Sequence, residues 1–285
     1  MLLIMINKET MNTSKKATLF NTIATFASGM AILLFNKKLM SIFEIENNTP
    51  FLVIGSIITF FSLTMLIEIK KQRSLAILWI IIQDILFVIA SIIVLIVRPF
   101  EISNTGYLLI ELFLIPIIFF IIYQSIGLAR MDRKPGTKTK LMVFKRKVKA
   151  TKKDAWNIIS DIENYHKVAS NIDGVKIISG DGKGMVRSCS HGKDSWFETC
   201  TLWEVEKEYA FVVDTKAPDY PYPFKSLMGI WKVDSIEQNI TEITMIFEFE
   251  YTKGFQSIIL HPLLKTKFTK VCIEIMDKWQ AALEQ

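Results

Sequence analysis

The sequence predicts a protein in two parts: a membrane all-α four-helix bundle, then an α+β domain built on an antiparallel sheet. Three observations carry this. Mean hydropathy is +0.32 and 51% of residues are hydrophobic, too apolar for an ordinary soluble enzyme or for a disordered chain. Charge is unevenly spread, with 12 Lys/Arg and 8 Asp/Glu in residues 1–135 against 22 and 20 in residues 136–285. The hydrophobic pattern also changes, from long apolar runs to alternation of period two, across Arg133-Lys134-Pro135-Gly136-Thr137, where Pro-Gly punctuates the chain. The predicted domains are therefore 1–135 and 136–285.

The first part holds four apolar runs, at 17–36, 51–69, 75–97 and 106–128. Each approaches the roughly 20 residues a helix needs to cross about 30 Å of hydrocarbon. Short polar breaks separate them, such as Lys70-Lys71-Gln72-Arg73. Four buried helices of a soluble core would need polar surface to wrap them, and these 135 residues have little. Met1 to Ile6 is too short for a signal peptide, and no small-residue cleavage pattern follows the first run, so that run reads as a retained helix.

Four crossings put both termini on one side. That side carries Lys8, Lys15, Lys16, Lys70, Lys71, Arg73, Arg130, Arg133, Lys134, Lys138 and Lys140, and the other only Lys37, Lys38 and Arg98. The asymmetry predicts a multi-pass plasma-membrane protein with cytoplasmic N- and C-termini.

Asp84 stands near the middle of the third run and Glu111 inside the fourth. A charge in hydrocarbon is costly, so such residues face a bundle interior and find partners. For Asp84 the favoured reading is a structural hydrogen bond to Asn21, Thr25, Thr59 or Tyr123, ahead of a proton or ligand site. Ala24, Ser28, Gly29 and Ala31 give the first helix a small face for close packing, which also permits a homo-oligomer.

In the second part, a strand over 141–149 comes first. Thr151-Lys152-Lys153-Asp154 then makes a capping box that opens a helix through Trp156 and Ile159, and Asp161 to His166 forms a second short helix or turn. Six strands follow, over 175–179, 184–191, 195–205, 209–215, 225–236 and 240–251. A long helix over 257–283 closes the chain. Gly180-Asp181-Gly182-Lys183-Gly184 reads as a hairpin turn, since no helix opens behind it to bind phosphate.

This order of elements, with Ala155-Trp156 in the first helix, the step Asp161-Ile162-Glu163-Asn164-Tyr165, and Gly229-Ile230-Trp231-Lys232 followed by Thr241-Glu242-Ile243-Thr244, resembles the START/Bet v 1-like (SRPBCC) superfamily. That superfamily is the polyketide cyclase/dehydrase and lipid transport group. The resemblance covers Lys140 to Leu283. His166 departs from it, standing where relatives often have proline. The resemblance implies a helix-grip domain, a curved antiparallel sheet around the long C-terminal helix, with a cavity between them.

The implied ligand-binding residues are Tyr165, Phe197, Trp203, Phe211, Trp231, Met245, Phe247, Phe249, Leu264 and Phe268. Phe197, Thr199, Thr201 and Trp203 are expected on the inner face of their strand, with Glu198, Leu202 and Glu204 outside. Family members that are enzymes use polar cavity residues; here Arg187, His191, Tyr165 and Asp214 are the candidates, and none is assigned a catalytic role.

No metal or cofactor is called. Cys189, Cys200 and Cys272 match no zinc spacing, His166, His191 and His261 form no ligand pair, and no phosphate or dinucleotide fingerprint occurs. A net charge of +6 is too mild to point to nucleic acid. Eight Lys/Arg between Lys138 and Lys153 favour a bilayer with anionic lipid. Three prolines in Pro218-Asp219-Tyr220-Pro221-Tyr222-Pro223 make a stiff loop, read equally as a lid over the cavity or as a packed turn.

The leading reading is membrane-anchored binding of a lipid or other hydrophobic small molecule in the cavity of a cytoplasmic START-like domain. Two alternatives stand beside it: a cyclase or hydrolase acting on a membrane-derived hydrophobic substrate, and a membrane interaction module with a solid core.

Overall fold

The structure, a computed structural model, describes residues 12–285. The Met1–Ile6 stretch read above as too short for a signal peptide, and Lys8 of the charge count, lie outside the described residues. The chain divides into two compact units at Met131/Asp132, with Ser257–Pro262 grouped with the first.

The first unit contains α1 (Thr13–Leu34), α2 (Asn36–Phe43), α3 (Thr49–Lys71), α4 (Ser74–Val97) and α5 (Asn104–Arg130). Asn12 caps α1 by accepting a hydrogen bond from the Lys15 amide at 2.8 Å. Pro50 sits in the first turn of α3, where its missing N–H is no loss. Among the described residues α1, α3, α4 and α5, of 22, 23, 24 and 27 residues, are the helices long and apolar enough to cross a membrane. The short α2 falls within a segment that sequence reasoning left as a polar break. The Ser103 hydroxyl before α5 donates to the Ile42 carbonyl of α2 at 2.5 Å.

Small residues set the helix spacing. A Cβ on Gly127 of α5 would lie 2.6 Å from the Ser14 Cα of α1, and one on Gly29 would collide with Thr59 of α3. The contact between Ser14 and Gly127 puts the start of α1 beside the end of α5. The outward faces are apolar, with Phe60 and Ile96 strongly exposed. Inside, the Asn21 amide donates to Asp84 Oδ2 at 2.9 Å and to Gln124 Oε1 at 3.1 Å, and Thr25 donates to Asn21 Oδ1 at 3.0 Å. Asp84 thus has the expected Asn21 partner. Glu111 departs from expectation: it lies on the exposed face of α5. It is seven residues from Asn104, about 10 Å of rise, close enough to the helix end for its flexible side chain to extend toward water.

The second unit contains β1 (Lys140–Val148), α6 (Lys152–Ile159), α7 (Tyr165–Val168), β2 (Gly174–Ser179), β3 (Val186–His191), β4 (Asp194–Glu204), β5 (Glu208–Val213), β6 (Phe224–Glu237), β7 (Ile240–Tyr251) and most of α8 (Gln256–Leu283). The strands form one antiparallel sheet in the order β1-β7-β6-β5-β4-β3-β2. With the long closing helix this is the helix-grip fold.

Local chemistry sets the element ends. Thr151 accepts from the Asp154 amide at 3.1 Å and donates to Asp154 Oδ2 at 2.6 Å, which opens α6. Gly180, Gly182 and Gly184 all have positive φ, so the segment between β2 and β3 is a turn needing glycine, as expected. Of the basic run, Lys140 is buried, while Lys145 and Arg146 pair with Glu242 at 2.5 Å and Asp277 at 2.6 Å. Lys138, Lys147, Lys149 and Lys153 remain exposed.

Candidate functional site

Period-two burial builds the site. On β7, Met245, Phe247, Phe249 and Tyr251 are buried while Ile246, Glu248 and Glu250 are only partly so. On β6, Gly229, Trp231 and Val233 are the buried set. A cavity of about 390 Å³ lies against this inner face, closed along one side by Leu264, Phe268, Val271, Cys272 and Ile275 of α8. Phe247 meets Phe268 edge-on at 4.6 Å between ring centroids, and Trp231 stacks on Tyr209 at 5.0 Å. Gly229 makes room for this: a Cβ there would sit 2.6 Å from the Trp231 ring.

Seven of the ten sequence-predicted residues line the cavity: Tyr165, Phe211, Trp231, Phe247, Phe249, Leu264 and Phe268. The other three lie outside the lining. Met245 is buried in the core. Trp203 packs edge-on against Trp156 at 5.6 Å. Phe197 is 47% exposed on the outer face of the sheet.

The expected facing of β4 is therefore reversed over its first half. Trp196, Glu198 and Cys200 point inward, and Phe197, Thr199 and Thr201 point out. A register shift between Cys200 and Leu202 then brings Trp203 opposite Tyr209.

This reversal places a carboxylate inside. Glu198 is directly opposite Arg187 of β3, and both are buried and line the cavity. Arg187 donates to Glu198 Oε2 from Nη2 at 2.6 Å and from Nε at 2.9 Å. The Trp196 indole donates to Oε1 at 2.7 Å. The guanidinium carbon lies 3.9 Å above the Phe211 ring. Burial opposes the Arg187 charge, but the Glu198 carboxylate holds its pKa above the ordinary guanidinium value. Arg187 Nη1 has no hydrogen-bond partner, and neither do the Asn171 Oδ1 and Tyr220 hydroxyl, also in the lining.

The other titratable groups near the pair are held protonated. Burial raises the Tyr165 phenol well above its usual value. Burial, then the neighbouring Glu198 charge, pushes Cys189 up to about 12, and burial alone does the same for Cys272. His191 lines the cavity from its exposed rim, 3.5 Å from Asp173, and Lys267 is likewise exposed. Asp214 is exposed and outside the lining. Tyr220 and Tyr222 of the proline-rich loop form part of the wall, and Tyr222 meets Trp196 at 5.6 Å. Among the described residues no group of three or more His, Cys, Asp or Glu is placed to hold a metal.

The arrangement defines a class, a helix-grip domain whose sheet and last helix surround a largely apolar cavity with one buried ion pair in its wall. The model of the family described as polyketide cyclase / dehydrase and lipid transport matches residues 142–284, and the chain belongs to that family. Among solved structures, the Zhui aromatase/cyclase from Streptomyces sp. R1128 is 10% identical, with a TM-score of 0.41, over 50% of this chain and 93% of its own. Norcoclaurine synthase from Thalictrum flavum, in complex with dopamine and hydroxybenzaldehyde, is 16% identical, with a TM-score of 0.41, over 52% and 89%. The protein XoxI from Bacillus cereus is 14% identical, with a TM-score of 0.40, over 50% and 94%. No curated protein matches the sequence.

Proposed function

We infer that the protein is a membrane-anchored binder. Four helices hold the START-like domain at the cytoplasmic face of the plasma membrane, and that domain takes a lipid or other hydrophobic small molecule into its cavity. The anchor comprises residues 1–135 and the binding domain residues 136–285. One observation carries the reading: about 390 Å³ of space is walled by aromatic and aliphatic side chains where an interaction module would have a solid core. That volume falls in the usual range of ligand sites, about 300–1,000 Å³. Each 100 Å² of apolar ligand surface buried there contributes about 2.5 kcal/mol.

The membrane placement is supported by helix length and by the excess of Lys and Arg at the end shared by both termini. The exposed lysines of the run from Lys138 to Lys153 add attraction to anionic lipid, about 1 kcal/mol each near the surface. Tyr220 and Tyr222 serve as a lid, since they contribute wall from a loop stiffened by proline.

The test is extraction of the full chain and a Val271→Trp variant, with co-purifying hydrophobic molecules identified by liquid chromatography and mass spectrometry. Val271 lines the cavity, so the indole would fill it. The reading expects a defined molecule with the wild type and its loss from a variant that still inserts and folds. Equal recovery from both would refute it.

The Arg187–Glu198 pair favours a second reading, the cyclase or hydrolase. A guanidinium can polarise a carbonyl oxygen, but the chemistry also needs a group that gives or takes a proton. Tyr165 and Cys272 are held protonated by burial. The enzyme reading gives the proton step to His191, in the lining at the rim and 3.5 Å from Asp173, and requires a His191→Ala variant to lose turnover while keeping ligand.

A further inference from the structure

The interior of the helical unit holds more polar atoms than its own hydrogen bonds satisfy. The Asn21 amide of α1 donates to Asp84 of α4 and to Gln124 of α5, which uses up its donors and leaves its neighbours short. Gln124 and Thr18 are 0% exposed and Ser14 2%. Gln124 Nε2, Thr18 Oγ1 and Ser14 Oγ have no hydrogen-bond partner. Buried groups this deep are nearly always matched, because an unmatched one forfeits its hydration.

Position turns these three groups into a file. Ser14, Thr18 and Asn21 are spaced i, i+4, i+7 and share one face of α1. Ser14 lies against Gly127 near the end of α5, and Asn21 meets Gln124 one turn earlier on that helix. The unmatched atoms therefore follow the α1–α5 seam inward over about 10 Å of rise and reach the Asn21–Asp84 hydrogen bond. Two hydroxyls and an amide at turn spacing suit bound water, which takes about 2–4 polar partners.

Asp84 has no cation to balance it. Its Oδ2 accepts from a neutral amide, and α4 carries no other charged residue. Among the described residues no Lys, Arg or His pairs with it. On the neighbouring helices, Lys15, Lys16 and Arg130 stand at the ends of α1 and α5, and Lys70 and Lys71 end α3. Glu68 is bound by Arg73, and Glu111 is on the exposed face of α5. The Tyr107 hydroxyl donates to the Phe100 carbonyl, and Tyr123 packs on Phe119. A proton carried in by water is the counter-charge left for the carboxylate.

We propose that Asp84 is a proton-binding site, supplied by water bound along Ser14, Thr18 and Gln124 from the end of the bundle where α1 starts and α5 finishes. In the step, a hydronium ion of the file gives its proton to the carboxylate, leaving a neutral carboxylic acid and a water; release is the reverse. The site goes beyond the hydrophobic-ligand reading and does not depend on what the cavity binds.

The experiment is infrared difference spectroscopy of the full chain in nanodiscs, wild type minus Asp84→Asn, in H2O and D2O. One carboxylic-acid carbonyl band should grow as pH is lowered, vanish reversibly as it is raised, and shift when the acid form is moved into D2O. Labelling of the wild type by dicyclohexylcarbodiimide, which adds to protonated carboxyls in apolar surroundings, should map to Asp84 and assign the band without a variant. Thr18→Val keeps the side-chain shape and removes the hydroxyl, and should slow the deuterium shift at least about tenfold. Ser14→Ala should act in the same direction and serves if Thr18→Val fails to fold, which near-UV circular dichroism reveals. A band that neither titrates nor exchanges makes Asp84 a sealed structural hydrogen bond and overturns the site. A carboxylate that stays ionised and responds to Na+ or K+ instead makes it a cation site and overturns the proton. Unchanged exchange in both hydroxyl variants overturns the file.

Discussion

Removing the Glu198 carboxylate should be among the most damaging single changes in the second unit. In Glu198→Ala two charge-assisted hydrogen bonds from Arg187, at 2.6 and 2.9 Å, and one from Trp196, at 2.7 Å, are lost together. Arg187, 1% exposed in the intact protein, is left with its charge uncompensated. Breaking a buried pair on one side costs about 3–5 kcal/mol. At roughly 2–4 °C per kcal/mol for a domain of this size, Tm should drop by about 10–15 °C. Replacing both partners at once, Arg187→Met with Glu198→Leu, removes both buried charges and leaves only the Trp196 indole unmatched, at about 1–3 kcal/mol. The assay is thermal unfolding of the full chain followed by near-UV circular dichroism, run on both singles and the double. A single variant within about 1 kcal/mol of wild type, or a double whose loss equals the sum of the singles, would refute the account of a coupled buried pair.

Three further expectations can be checked in the same preparations. Gly229→Ala puts a methyl 2.6 Å from the Trp231 ring, so Trp231 must turn away; expect a loss of about 1–3 kcal/mol and a changed near-UV tryptophan band. Gly127→Val forces α5 from α1, because even a Cβ would lie 2.6 Å from the Ser14 Cα, and should lower the yield of folded protein in detergent more than Gly254→Val, where nothing lies within 4 Å and the backbone is not left-handed. Cys189 and Cys272, both pushed up to about 12, should resist iodoacetamide at pH 8 in the folded chain and react once it is unfolded. Their folded pKa values lie above the unfolded value near 9, so their contribution to stability is complete below pH 9. It should be lost as pH rises from about 9 toward 12, visible as a falling unfolding midpoint.

Much of this architecture is legible in sequence because burial imposes a period. The alternation from Ile240 to Tyr251 gives both the limits and the inner face of β7, since one face meets the cavity and the other faces solvent. The long apolar runs locate α1, α3, α4 and α5 for the same reason, and their ends shift by only a few residues as polar flanks continue each helix. The eight residues of α2 are too few to show a helical period. On β4 the pattern misled. Trp196 and Phe197 are adjacent aromatics on opposite faces, so size alone could not choose between them, and the register shift after Cys200 changes the facing midway.

The buried Glu198 was nonetheless recoverable. The strands expected over 184–191 and 195–205 leave Gly192-Lys193-Asp194 between them, and a hairpin turning at Gly192 and Lys193 pairs residue 187 with residue 198, a cation opposite an anion. Charges matched across a hairpin register fix the facing of a strand more firmly than hydrophobic size does. Asn21 and Asp84, by contrast, are legible because an apolar helix bundle offers its few buried polar groups few partners to choose among.

The most direct test of the central claim is native mass spectrometry of the full chain, released from detergent after exposure to a membrane extract. The account predicts one discrete added mass per chain, of a size that the 390 Å³ cavity can accommodate, absent from the cavity-filled Val271→Trp protein. A folded wild-type chain that stays bare across extracts, or carries the same added mass when the cavity is filled, would contradict it.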